Sequence, residues 1–279
     1  MHTLLGAGAT LVVMPRWDRM LAGRLMTRYR VTHWANIPTM VVDLLASPHL
    51  AQQDLSSLVY IGGGGAAMPQ SVAQRVKDVW GLDYIEGYGM TETCGASTGV
   101  PIDRIKPGSI GPAASFNQLR LDPETGELQV KGANVFAGYL NLPEKTAETF
   151  TADGWLRTGD VGQLDAEGFL FLQGRRSDMI KTGAHRVHPQ DVEEAIAELP
   201  GVREVAVTGI DDPLLGQVVA AFVVRDCEAP TDLAVKAHCR QRLAGYKIPK
   251  QVAFVAELPK TASGKIRRAA LKGSPDEQA

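Results

Sequence analysis

Along the first 14 residues an apolar stretch interrupted by glycines predicts a core helix running into a strand. From residue 17 to about 100 the pattern alternates between two periods. Helical spacing covers 19–30, 38–45 and 69–80, and Pro38 and Pro69 stand where a first turn has no use for an N–H. Short β-rich runs at 31–37, 57–61 and 83–85 predict buried strands between these helices. Strands separated by helices imply βα units and a parallel sheet. From 115 to about 171 the pattern changes to short alternating strands, with turns at 122–126 and 165–168. After Gly174 a second unit begins. A helix over 189–199 carries Val192, Ala195, Ile196 and Leu199 on one stripe and stops at Pro200-Gly201. Strands at 204–210 and 217–225, a helix over 232–244 and a strand at 251–255 follow, and 273–279 reads as a frayed end. The predicted fold class is α/β. A large unit over 1–174 combines parallel-sheet βα units with a β subdomain, and a small mobile α+β unit occupies 175–279, with a hinge near 174–177.

Composition narrows the classes open to such a chain. Of its 279 residues 44% are hydrophobic, enough for a true core, yet no apolar run reaches the roughly 18 residues that span a bilayer. The apolar start has no Lys or Arg before it and no cleavage pattern, so it reads as core rather than as a signal peptide. A net charge of −2 excludes a general attraction to nucleic acid. Cys94, Cys227 and Cys239 form no CxxC, so reduced thiols in a cytoplasmic protein are the expectation. The six histidines form no HExxH, and no protein-ligated zinc is expected.

Candidate chemistry lies in the loops. Gly62-Gly63-Gly64-Gly65-Ala66-Ala67 joins a predicted strand to a predicted helix, a place where backbone can approach a nucleotide. Alone it is better read as a tight connection, since it matches neither GxGxxG nor GxxxxGK[ST]. The next strand leads into Glu86-Gly87-Tyr88-Gly89-Met90-Thr91-Glu92-Thr93, which gathers an aromatic face, a hydroxyl and a carboxylate. Such a loop can stack a base, hydrogen-bond a phosphate and hold Mg²⁺ through one carboxylate. Taken singly, Glu92 is a solvated loop acid, Asp160 a turn cap, Tyr88 a core aromatic and Lys265 a solubilising tail residue.

The ordered set changes that reading. The YGMTE core after the glycine run resembles the adenylate-forming (AMP-binding) superfamily of acyl–CoA ligases, luciferases and peptide-synthetase adenylation domains. The segment from Gly126-Glu127-Leu128 to Gly138-Tyr139 is similar to its GELxxxG…GY, and 154–160 to its GWxxTGD. Residues 174–181 resemble its hinge signature, although Ser177 stands where the family has Asp or Lys, and 259–265 resemble its PxTxxGK tail. The resemblance implies that Gly65, Ala66, Glu86, Gly87 and Tyr88 frame the adenine, and that Thr91 touches the α-phosphate. It also implies that Glu92 ligates Mg²⁺, that Asp160 accepts from both ribose hydroxyls, and that Arg175 assists at the ribose. Lys265 would lie between the substrate carboxylate and the α-phosphate, which makes it the leading catalytic candidate, with Thr91 and Glu92 beside it. In a second orientation of the small unit, residues 183–186 would face a thiol tunnel, with Lys181 near the adenylate and His185 an ordinary surface group.

The implied reaction is ATP-dependent activation of a carboxylic acid, by expectation a fatty acid, and transfer to CoA. An adenylation domain loading a carrier protein is the nearest alternative; a non-catalytic nucleotide-binding remnant is the alternative from another class. The family's Ser/Thr/Gly-rich loop followed by Lys is not among these residues. The expectation is therefore a C-terminal part of a longer enzyme that by itself adenylates poorly.

Overall fold

The computed structural model describes residues 6–101, 103–226, 229–261 and 264–271. The first layer is built from α1 (Arg19–Tyr29), β1 (His33–Asn36), α2 (Pro38–Leu45), β2 (Tyr60–Gly64), α3 (Gln70–Trp80) and β3 (Tyr84–Gly87). The three strands are parallel, in the order β1-β2-β3. Local chemistry sets the helix ends. Asp18 caps α1 by accepting from the Leu21 N–H at 2.8 Å, Pro38 opens α2, and Gly81 closes α3 at φ 69°. Val41, Leu44, Ile61 and Val76 are fully buried between sheet and helices.

β2 differs from expectation in a way that matters for the site. The strand was expected to end at the glycines; instead it runs through Gly64, paired with β1 on one side and β3 on the other. Glycine makes this pairing possible. A Cβ at Gly63 would overlap the Asn36 carbonyl, and one at Gly64 would overlap the Gly87 carbonyl. Of the helix and strand expected over the first 14 residues, 1–5 lie outside the described residues, and no strand forms among those described. Residues 10–14 have no ladder partner among the described residues, and Val13 is 74% exposed.

The short strands β4 (Gly89–Met90) and β5 (Gly95–Ala96) flank the turn Thr91–Thr93. An antiparallel sheet follows in the order β6 (Asn117–Leu121), β7 (Glu127–Gly132), β8 (Leu156–Leu164) and β9 (Leu170–Arg175), with the unforeseen short helix α4 (Pro143–Thr149) between β7 and β8. Its tight turns are held by aspartates. Asp122 accepts from the N–H groups of Glu124 and Thr125, and Asp165 from those of Glu167 and Phe169.

The small unit comprises β10 (Ile180–Thr182), β11 (His185–Val187), α5 (Pro189–Ala197), β12 (Val202–Asp212), β13 (Gly216–Arg225), α6 (Asp232–Arg242) and β14 (Gln251–Phe254). Its sheet runs β11-β10-β13-β12, with β14 parallel to β13. β13 alternates between two cores. Val219, Ala221 and Val223 pack under α5 and α6, while Val218, Phe222 and Val224 meet Leu258 and Leu271. No helix among the described residues is long and apolar enough to cross a membrane.

Candidate active site

The carboxyl end of β3 releases the chain into the Tyr88 loop, at the edge of a parallel sheet where ligands characteristically bind. Tyr88 packs against the core of Ile110, Leu128, Val130 and Leu170, as a core aromatic would. Its hydroxyl donates to Asp160 Oδ2 at 2.6 Å, and the Arg175 Nε lies 3.2 Å from Asp160 Oδ1. β8 and β9 deliver this pair, since Asp160 and Arg175 are cross-strand partners. Asp160 is only 7% exposed. Burial raises its pKa, against the downward pull of the Tyr88 hydroxyl and the Arg175 guanidinium. Burial and the adjacent Asp160 carboxylate push the Tyr88 phenol upward, so it remains a proton donor.

Thr91 and Glu92 sit on the turn between β4 and β5, with Thr91 exposed and Glu92 partly buried. The fully buried Thr93 fixes the turn. Its Oγ1 accepts from the Met90 N–H at 3.1 Å and lies 2.8 Å from the Gly95 carbonyl, to which it can donate. Glu92 is oriented by a residue to which the sequence reading gave no role. The Tyr139 hydroxyl donates to Glu92 Oε1 at 2.7 Å, and the Phe136 N–H donates to the Glu92 carbonyl at 2.8 Å. The GY landmark contained Tyr139, but its partner lay too far away in the chain for spacing to reveal it.

Gly65 and Ala66 are exposed at the end of β2, and Gly65 has φ +87°, a left-handed conformation suited to glycine. Lys265 reaches this point from the far end of the chain. A Cβ placed on Gly65 would be 3.2 Å from Lys265 Cε and 3.6 Å from Nζ. The lysine stands on a compact loop: the Thr261 N–H donates to the Lys265 carbonyl at 2.8 Å, and the Lys265 N–H to Thr261 Oγ1 at 3.1 Å. Ion pairs hold both ends of that loop, Lys260–Glu204 at 2.7 Å and Arg268–Glu193 at 2.7 Å. Residues 262 and 263 of the tail motif lie outside the described residues.

Two expected site residues face elsewhere. Glu86 turns its carboxylate to the Met68 N–H at 3.2 Å, behind the glycine run, so any part it has at the adenine belongs to its backbone. Burial, opposed by that N–H and helped by Glu194, pushes its pKa up to about 7. Lys181 is exposed on β10; no hydrogen bond or ion pair links its side chain to the Tyr88–Asp160–Arg175 group among the described residues.

Comparison with known proteins meets this geometry at both ends. Residues 1–140 match the AMP-binding enzyme family, and 191–265 match the AMP-binding enzyme C-terminal domain. The chain belongs to the AMP-binding enzymes. It is 39% identical to a long-chain-fatty-acid–CoA ligase of Bacillus subtilis (strain 168) over 276 residues, covering 95% of this chain and 49% of that protein. ATP-bound MatB from Rhodopseudomonas palustris has a TM-score of 0.90 at 35% identity, covering 97% of this chain and 56% of MatB. The apo structure of the same MatB, with the same identity and coverage, has a TM-score of 0.73. This AMP-binding enzyme chain thus spans about half the length of the relatives it matches.

The donor set fits Mg²⁺ in the manner usual for nucleotide enzymes, one carboxylate completed by substrate phosphates and water. Glu92, with one oxygen fixed by Tyr139, would supply that carboxylate. Among the described residues no group of three or more His, Cys, Asp or Glu could hold a metal by itself.

Proposed function

We propose that these residues form the adenylate-holding and lysine-presenting part of an acyl–CoA ligase acting on a carboxylic acid, with a fatty acid as the favoured substrate. The observation that carries this reading is the meeting of Lys265 with Gly65 in the same structure that sets Tyr88, Asp160 and Arg175 together. In the first step a carboxylate oxygen bonds to the α-phosphorus of ATP, and the bond to the leaving pyrophosphate breaks. Two anions approach one another there, and the Lys265 ammonium offsets the repulsion. Unit charges 4 Å apart interact by about 4 kcal/mol at an effective dielectric near 20. Asp160, held by Tyr88 and Arg175, presents two oxygens to the ribose hydroxyls. Thr91 contacts the α-phosphate, and Mg²⁺ held at Glu92 would neutralise phosphate charge. In the second step the CoA sulfur bonds to the acyl carbon, the bond to AMP breaks, and the thiol proton passes to solvent. The greater likeness to ATP-bound than to apo MatB supports the assignment of this orientation to the first step. A fatty acid is favoured because the Bacillus subtilis relative is named for one, and the reading places the protein in the cytoplasm.

The test is calorimetry of AMP binding to the 279-residue chain. AMP should bind, and Asp160→Ala should weaken it about 10–100-fold, the equivalent of losing hydrogen bonds to a charged group. A folded chain that takes up no AMP would overturn the reading.

A further inference from the structure

Beside the glycine run the two units meet around a cavity of about 240 Å³. Two carboxylates line it, Glu86 from β3 and Glu194 from α5. Each is bonded to the same short segment of chain. Glu86 accepts from the Met68 N–H at 3.2 Å, and Glu194 accepts from the Gln70 N–H at 3.1 Å. Gln70 is the first residue of α3, whose N-cap position is Pro69 and carries no side-chain cap. A helix start leaves N–H groups without partners. Here one is satisfied by a side chain of the other unit. The exchange is mutual, because the Ser71 hydroxyl donates to the Ala197 carbonyl at the end of α5, at 3.2 Å. The N-terminus of one helix and the C-terminus of another therefore complete each other only while the units are docked in this orientation.

The charge at this seam is uncompensated. Glu193 is held by Arg268, and Glu198 by Arg242 and His238, whereas no cationic side chain lines the cavity among the described residues. Gln190 and Gln70 face Glu194, and Tyr84 faces Glu86; none of these carries positive charge. We propose that Glu194 is a positioning residue: by capping α3 across the seam it holds the small unit where Lys265 meets Gly65, and it lets go when both carboxylates ionise. The inference rests on the proposed function only for the role given to Lys265; the latch itself is independent of it.

Burial raises the pKa of both acids, with Glu194 adding to the effect at Glu86, and Glu193 and Glu198 adding at Glu194. At Glu86 burial is the main cause, and the Glu194 charge, which comes from the other unit, is the part that docking adds. That part favours the docked form while the acids are protonated and opposes it as pH rises through the raised value, about 7 for Glu86. Replacing Glu194 by Gln keeps an acceptor oxygen for the Gln70 N–H and removes the charge. Replacing it by Ala removes both.

Hydrogen exchange read by mass spectrometry on the intact chain tests this, with peptides covering 68–73 followed from pD 6 to 9 and corrected for intrinsic exchange. In the parent chain, exchange over 68–73 should be about tenfold faster at pD 9 than at pD 6, the scale of a lost helix cap. Glu194→Gln should stay protected across the range, and Glu194→Ala should exchange fast throughout. Peptides from β13 report folding and should not change; should Glu194→Ala unfold them, the Gln variant decides alone. A Gln variant that follows the parent's pD dependence, or a folded Ala variant as protected as the parent at pD 6, overturns the proposal. AMP calorimetry on the same samples reports separately on the functional reading.

Discussion

Lys265 can influence chemistry at Gly65 only if its ammonium is delivered there, and short-range bonds of the Thr261 loop deliver it. Grafted behind the N-terminal half of the Bacillus subtilis relative, the chain should support pyrophosphate exchange. Lys265→Ala should lower that exchange by ~10²–10³, as loss of a preorganised electrostatic partner does. AMP affinity should change little, because Asp160 and its partners are untouched; a large loss of affinity instead would assign the lysine to binding. At this scale the candidates the sequence could offer were those inside contiguous motifs, and the structure brings Tyr88, Asp160 and Arg175 together and Lys265 to Gly65. What could not be read was which side chains orient them. Tyr139 on Glu92 and Glu194 on the Gln70 N–H join positions far apart in the chain, and no local period encodes such a meeting.

Elements whose period extended over a whole helix were legible, as α2 and α3 show, because burial of one face and a proline at the start point the same way. Elements defined by pairing were not. β10 and β11 are three residues each and exist through their ladder, while residues 10–14 lack one among the described residues and leave Val12 and Val13 exposed. β2 ran past its expected end because glycines, poor strand formers in isolation, are the residues that fit between two neighbouring backbones. Gly63→Ala should therefore force β1 and β2 apart, costing about 1–3 kcal/mol, the usual penalty for overpacking. Thermal unfolding should show it as a fall of several degrees in Tm. An unchanged Tm would mean that the strands relax around a methyl group.

At the scale of the whole molecule the cores are separate, one under the parallel sheet and others on the two faces of the small sheet. The segment 174–178 carries Arg175 to Asp160 and Asp178 toward Arg268, so its start is tied to β8 and its end to the chain that follows Lys265. The contact between Gly65 and Lys265 then has a consequence for assembly. With the chain intact, the lysine loop is a tethered ligand, and short connections provide effective concentrations of the order of mM. Cleaving the chain between 176 and 178 would turn that encounter into association of separate bodies. At µM concentrations the two pieces should elute apart on size exclusion and come together only as concentration approaches the mM range. Co-elution at µM would instead assign the affinity to the seam itself. Separate elution would assign the nearness of Lys265 to Gly65 chiefly to the peptide link at 174–178.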